Sequence, residues 1–313
     1  MSKPILYYTI GIPGSGKSTW CENNKERLNA IVHSSDDIRK KEFGDENDQS
    51  KNNDVFEILH KRVKEDLLSG KNVIYDATNL KRKNRLHFLN QIKNIPCEKV
   101  CVLFATPIEI CKQNNAARDR KVPEEVIDRM VKSFDVPCIQ EKWDEIQIVW
   151  WDCKKMFEAD YYNWGRDIIE WCNVSHDSPF HKLSIGEHMF KASEYFRNKE
   201  IDVSLELSLA TFMHDCGKVA CKDFHDHNGE SEIAHYYGHE QCGSYYSLFY
   251  LKRAYPFLTD EQILYISLLI GLHMRPFNAY NQNPKTEVKD RMLYGGKVID
   301  NLLLLHDADL YAH

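Results

Sequence analysis

Apolar residues in the first half of the chain come in short continuous runs: Ile5 to Ile10, Ile31 to Ser34, Asn72 to Leu80, Lys99 to Ala105 and Ile146 to Trp150. Runs of that length, bounded by polar turns, predict buried parallel strands. Between two of them Val55, Ile58, Leu59, Val63, Leu67 and Leu68 return at helical spacing, with Asp54 as the expected cap and Gly70 as the stop. Strands alternating with helices predict a doubly wound α/β domain, a parallel sheet with helices on both faces. Beyond it only the helical period persists, over Ile185 to Phe196, Leu205 to Phe212, Glu232 to Leu251, Glu261 to Leu272 and Val288 to Leu310. The pattern predicts an α/β domain over residues 1–152 and an all-α bundle over 153–313. The aromatic stretch between Trp151 and Asn173 lacks linker character and reads as helix packing the domains together.

The 313 residues suffice for two cores, since single cores stop growing at about 250–300 residues. No apolar run is long enough to span a bilayer or act as a secretory signal, so a soluble, cytoplasmic protein is expected, with no membrane partner. The ten cysteines lack a CxxC pair and read as reduced packing thiols. A net charge of −6 argues against coating nucleic acid through bulk charge and moves the question to local clusters.

The first such cluster is Gly11-Ile12-Pro13-Gly14-Ser15-Gly16-Lys17-Ser18-Thr19, directly after the first apolar run. Glycines in strand-loop-helix context let backbone N–H groups converge on phosphate oxygens, and the helix beginning near Lys17 adds its positive end. This predicts an ATP site formed by Gly14, Ser15, Gly16, Lys17, Ser18 and Thr19, with Lys17 on the outer phosphates and Ser18 on Mg²⁺. The bland reading is a glycine-rich turn. Asp36 and Asp37 follow the second strand, where ligand crevices of open α/β sheets lie. Asp36 is the candidate base on an attacking hydroxyl, and Asp37 the candidate helix cap. Asp76 and Asn79 end the third strand as candidates for the Mg²⁺ shell and for orienting substrate. Lys81, Arg82, Lys83 and Arg85 read either as a solvated helix face or as contacts to an acceptor's backbone phosphates. Arg118 and Arg120, between two helices, suit a lid that closes on a triphosphate, or an exposed basic turn.

The set GIPGSGKST, SSDDIR, VIYDATNLKRKNR and NAARDRKVPEEVI resembles the 5′-polynucleotide kinase of tailed phages. The resemblance implies Lys17 and Ser18 on ATP and Mg²⁺, Asp36 as general base on a 5′-hydroxyl, Arg39 on the acceptor phosphate and Arg118 as lid arginine. That family often has an arginine at the start of its lid helix, where this chain has Gln113 and Asn114. Small-molecule kinases share much of the pattern.

In the second half the chemistry-bearing residues are histidines. His188, His214-Asp215, His239, His273 and Asp309 fall on different predicted helices, several beside apolar turns. One buried imidazole is ordinary. Several with carboxylates are expensive to bury unless they share a cation, and mixed nitrogen and oxygen ligands suit Mn, Fe, Co, Ni or Zn better than Mg alone. Lys218, in His214-Asp215-Cys216-Gly217-Lys218, adds a cation suited to a phosphate oxygen, next to a metal that activates water toward phosphorus.

Residues 175–313 resemble the HD phosphohydrolase superfamily. Ser178-Pro179-Phe180-His181 leading to Gly186-Glu187-His188 is similar to the entry to the HD domain of bacterial CCA-adding enzymes. His214-Asp215 matches the signature pair, Gly238-His239-Glu240 and Leu272-His273 the intervening histidines, and His306-Asp307-Ala308-Asp309-Leu310 the closing helix. The resemblance implies His188, His214, Asp215 and Asp309 as core metal ligands, with His239 and His273 on a second metal or on phosphate. Asp307 rivals Asp309. His225, His227, His235 and His313 match nothing and read as surface residues.

Together the halves suggest RNA end healing. One domain would phosphorylate 5′-OH ends, using ATP and Mg²⁺. The other would hydrolyse a 2′,3′-cyclic phosphate or a terminal 2′- or 3′-phosphate with Mn²⁺, Ni²⁺, Co²⁺ or Fe²⁺. RNA or DNA ends are the expected partners, with an RNA ligase to seal them; the oligomeric state stays open. The rivals are a small-molecule or nucleotide kinase fused to an HD nucleotidase, and a non-catalytic nucleotide sensor.

Overall fold

The computed structural model describes residues 3–45, 50–118, 120–179, 181–226 and 229–313, so Phe180 and His227 lie outside the described residues. The chain divides into two compact units, Met1–Ile127 with Glu141–Trp151, and Asp128–Gln140 with Asp152–His313.

The first unit is built on strands β1 (Ile5–Ile10), β2 (Ala30–Ser34), β3 (Asn72–Asp76), β4 (Glu98–Ala105) and β5 (Glu145–Trp150), arranged β2-β3-β1-β4-β5 with every described pairing parallel. Helices α1 (Lys17–Asn24), α2 (Ser35–Phe43), α3 (Asn52–Leu68), α4 (Arg82–Gln91), α5 (Ile108–Ala116) and α6 (Glu124–Val131) connect them, and the boundary between units falls inside α6. Strand β1 is central and almost wholly buried because both its faces are covered. Tyr7 packs with Cys21, Ile74, Val100, Val102 and Phe104 on one face, and Tyr8 with Tyr75, Phe88 and Trp143 on the other. On α3 the stripe Val55, Leu59, Val63 and Leu67 is buried, each side chain contributing about 1.5–3 kcal/mol.

Two expected caps differ. The side chain of Ser34, not Asp37, accepts the N–H of Asp37, because the helix begins at Ser35 directly after the strand. Helix α3 begins at Asn52, which puts Asp54 in its first turn, where a carboxylate still favours the helix dipole.

The second unit is helical: α7 (Cys153–Glu158), α8 (Trp164–Trp171), α9 (Ile185–Asn198), α10 (Leu205–Met213), α11 (Lys218–Cys221), α12 (His239–Ala254), α13 (Asp260–Leu272), α14 (Pro284–Tyr294) and α15 (Gly296–Tyr311). Helix α13 packs on α10, α12 and α15, and α9 packs on α8, α10 and α15, around Met189, Leu248, Ile266, Ile270, Ile299 and Leu302. The expected helix Glu232 to Leu251 is shorter: an antiparallel hairpin, β6 (Asp223–Asp226) and β7 (Gly229–His235), takes its first part. The expected single helix Val288 to Leu310 is two, because Gly295 is left-handed at φ 89.

Candidate active sites

The loop after β1 is tied down through its carbonyls. Asn114 Nδ2 donates to Gly14 O at 2.9 Å, and Thr106 Oγ1 to Ser15 O at 3.1 Å. Gly14, at φ 82, lies so close to α5 that a Cβ there would stand 2.1 Å from the carbonyl oxygen of Cys111. Asn114, at a place where the phage kinases often have an arginine, thus fastens α5 to the loop. Lys17 Nζ folds back to Gly11 O and Ile12 O, each at 2.9 Å. Burial lowers its pKa, opposed by Asp76 and reinforced by Arg118, so Arg118, though exposed, is felt at this ammonium. Ser18 Oγ lies 3.4 Å from Asp76 Oδ2, and burial raises the Asp76 pKa against the pull of Lys17. A buried lysine, a hydroxyl beside a carboxylate and a loop with its carbonyls already engaged fit ATP phosphates and Mg²⁺.

Asp36 accepts from Arg39 at 2.8 Å and from Arg120, in the loop after α5, at 2.6 Å. Arg39 is buried. Its Nη2 donates to Asn52 Oδ1 at 2.7 Å, while its Nε is buried without a hydrogen-bond partner. Two of the expected substrate residues have other tasks. Asn79, left-handed at φ 53, accepts from the Tyr8 hydroxyl at 3.0 Å and donates to Thr9 O at 2.8 Å, clamping β3 to β1. Arg82 and Arg85 are buried on Glu141: Arg82 Nε reaches Oε1 at 2.9 Å, and Arg85 holds the carboxylate at 2.6 and 2.7 Å. These arginines are buried and do not form a solvated face; they meet on one carboxylate.

In the helical unit His188 comes from α9, His214 and Asp215 from the end of α10, His239 from the first residue of α12, His273 from the end of α13 and Asp309 from α15. The turn carrying Asp215 reaches α12 because Gly217 has no side chain; a Cβ there would stand 2.0 Å from His239 O. Two groups of potential metal ligands result, His188-His214-Asp309 and Asp215-His239-His273. His188 Nε2 lies 2.9 Å from Asp309 Oδ1 and 3.3 Å from His214 Nε2. Asp215 joins the groups, with Oδ2 3.5 Å from His188 Nε2 and 3.4 Å from His214 Nε2, and Oδ1 3.4 Å from His239 Nε2 and 3.6 Å from His273 Nε2.

The backbone sets the tautomers. Nδ1 of His214, His239 and His273 donates to Thr211 O, Tyr236 O and Ile270 O at 2.8, 2.9 and 2.7 Å. Each Nε2 therefore faces inward, and in the neutral ring it presents a lone pair there. Those of His239 and His273 stand 3.2 Å apart, a contact of two acceptors that a shared cation makes favourable. Burial and the neighbouring imidazoles lower His273 to about 3. Burial also disfavours the cation of His214, yet Asp215 and Asp309 push it up to about 10, a measure of how strongly the pocket draws positive charge. Lys218 Nζ sits 2.7 Å from Asp215 Oδ2 and 3.3 Å from His176 Nε2. The donor set, its fixed lone pairs and its two carboxylates fit divalent transition ions.

Residues 6–137 match the family described as an AAA domain. The chain is 28% identical over 230 residues to an L-seryl-tRNA(Sec) kinase of Methanococcus maripaludis, covering 70% of this chain and 84% of that protein. A gluconokinase from Sinorhizobium meliloti 1021 matches at 16% identity and a TM-score of 0.34, over 48% of this chain and 84% of its own. The N-terminal unit has a P-loop kinase fold.

The helical unit also gathers His176, which the sequence reading passed over, with His181 and His313, to which it gave no ligand role. His176, buried, donates from Nδ1 to Leu183 O and receives Lys218; His181 stacks on it at 4.0 Å. His313, expected at the surface, is partly exposed but lies 3.5 Å from Asp309 Oδ1. Nothing in local spacing marks His176 or His313 as part of this cluster, and the entry motif that contains His181 gave it no ligand role. Asp307 is exposed and outside both ligand groups, which leaves Asp309 in the place the two shared. His225 pairs with Asp223 on the surface, and His235 is half-buried against Tyr237. Among the described residues all ten cysteines are free thiols, and no helix is long and apolar enough to cross a membrane.

Proposed function

We propose that the chain heals nucleic-acid ends with two sites: an ATP-dependent kinase for a 5′-hydroxyl and a metal-dependent phosphohydrolase for a 2′,3′-cyclic phosphate or terminal phosphate. The observation that carries this reading is Asp215, whose two oxygens face two separate groups of inward lone pairs with Lys218 alongside, in a chain that also holds a phosphate loop.

In the kinase unit the amides of Gly14 to Thr19 and Lys17 would hold the triphosphate, and Ser18 with Asp76 would hold Mg²⁺. Asp36 orients the acceptor hydroxyl and takes its proton. Arg39 holds that carboxylate in place, and Arg120 and Arg118 bring positive charge from the lid to the transferring phosphoryl group. In the helical unit His188, His214, Asp215, His239, His273 and Asp309 would hold two divalent ions such as Mn²⁺, Ni²⁺, Co²⁺ or Fe²⁺, which supply Lewis-acid activation of water and of the phosphoryl oxygen. Lys218 presents an ammonium to a phosphate oxygen, and His176 aims it.

The match to an L-seryl-tRNA(Sec) kinase supports an RNA-borne hydroxyl as acceptor and favours a second reading, in which that hydroxyl belongs to a group carried on tRNA. Incubating the protein with ATP and an RNA bearing 5′-OH and 2′,3′-cyclic-phosphate ends, against nucleoside and seryl-tRNA acceptors, separates the readings. Transfer to the 5′ end with loss of the cyclic phosphate supports end healing. Transfer only to seryl-tRNA supports the second reading, and transfer only to nucleosides refutes both.

A further inference from the structure

We propose a third cation position beside the pair, bounded by His181, His188 and His313. This rests on reading the helical unit as a metal phosphohydrolase. The three residues each offer a ligand atom, and those atoms lie within 4.8 Å of one another. Their ring centroids are 5.1 Å (His181 to His188), 5.3 Å (His188 to His313) and 4.3 Å (His181 to His313) apart.

His188 belongs both to this group and to the one with His214 and Asp309. It is fully buried, with its Nε2 directed to Asp309 and His214, whereas its Nδ1 has no hydrogen-bond partner. The other ligand histidines of the pair hand Nδ1 to a backbone carbonyl; His188 does not. A buried ring nitrogen without a partner is costly, and a cation removes the cost if the ring serves two ions, one on each nitrogen, with its N–H proton released to solvent. His181 repeats the feature: its Nδ1 is also buried without a partner.

Three nitrogen donors select a borderline transition ion such as Zn²⁺, Ni²⁺ or Co²⁺ over Mg²⁺. Asp309 is the nearest carboxylate, 3.5 Å from His313 Nε2, and it also serves the inner pair. Repulsion from the inner ions therefore makes the third ion the last to bind and the first to dialyse away.

The test is metal stoichiometry on the full chain. Apo-protein is equilibrated with Co²⁺ or Zn²⁺, bound metal is counted by elemental analysis, and the Co²⁺ ligand-field spectrum is recorded at each addition. Wild type should take three equivalents, the last at least ~10-fold weaker than the others. His181→Ala/His313→Ala should take two, with the spectrum of the first two unchanged. His313→Ala alone, at a partly exposed site that does not endanger folding, should weaken only the third. Two equivalents in both wild type and double variant would overturn the third position and leave the pair standing. No bound metal in wild type would overturn the phosphohydrolase reading and this position with it.

Discussion

Replacing Glu141 with Gln removes one negative charge from beneath two buried guanidinium groups. The Glu141 side chain is fully buried, Arg85 is fully buried and Arg82 nearly so. Arg85 donates to both carboxylate oxygens, Arg82 to one and Trp143 Nε1 to the other at 3.2 Å, while Arg85 Nη1 also holds Asn79 O and Leu80 O. The amide keeps the shape but turns an acceptor into a donor, so a guanidinium N–H faces an N–H in a dry site. Breaking one partner of a buried pair costs about 3–5 kcal/mol. With a urea dependence of about 2 kcal/mol per molar, the midpoint falls by roughly 1.5–2.5 M. Hydrogen–deuterium exchange across a urea series, read on peptides from β1, β3 and β4, isolates the kinase unit. The same carboxylate sets a pH response. Burial would raise its pKa, but Arg85 and Arg82 overcome burial and hold it below the ordinary glutamate value. The stability it contributes is thus present above that ordinary value and lost as pH falls through the lower folded value, and Glu141→Gln should flatten this acid limb. A loss under about 1 kcal/mol, below the usual cost of an unpaired buried charge, would refute the argument and return Arg82 to substrate binding.

Gly14→Ala forces a side chain into left-handed backbone, at about 1–2 kcal/mol, and drives a Cβ against Cys111 O at 2.1 Å. Thermal shift by ATP should shrink far more than the thermal midpoint itself. Asp215→Asn should lower bound transition metal from both groups at once, measured by elemental analysis, because its two oxygens face both; loss from only one group would show that it does not join them. Ser34→Ala should cost near the low end of about 0.5–2 kcal/mol in urea unfolding, since its bond to Asp37 N is long at 3.5 Å. Asn114→Ala should raise KM for ATP with little change in stability, by releasing Gly14 O.

The strand-loop-helix around Lys17 was legible because every determinant is local: an apolar run, fixed glycines and a helix start. The helices of the second half were legible where the apolar stripe is continuous, as in Asp260–Leu272. Glu232 to Tyr237 misled because a half-buried hairpin strand and a helix turn share apolar positions over so short a span. Arg82 and Asn79 misled for another reason. Their partners, Glu141 and Tyr8, lie 59 and 71 residues away, and a charge run says nothing about a carboxylate delivered from a distant loop. The six histidine and aspartate ligand candidates were legible as residue types, and the structure gathers them. Asp215 joining two groups, and the layer of His176, His181 and His313, needed the three-dimensional packing of loops.

The most direct measurement of the central claim maps both ends of an RNA carrying 5′-OH and 2′,3′-cyclic-phosphate termini after incubation with ATP, Mg²⁺ and Mn²⁺, using wild type, Lys17→Met and Asp215→Ala. Wild type should phosphorylate the 5′ end and open the cyclic phosphate; Lys17→Met should lose only the first and Asp215→Ala only the second. Intact ends with wild type, or loss of both activities from either folded variant, would contradict two separate sites.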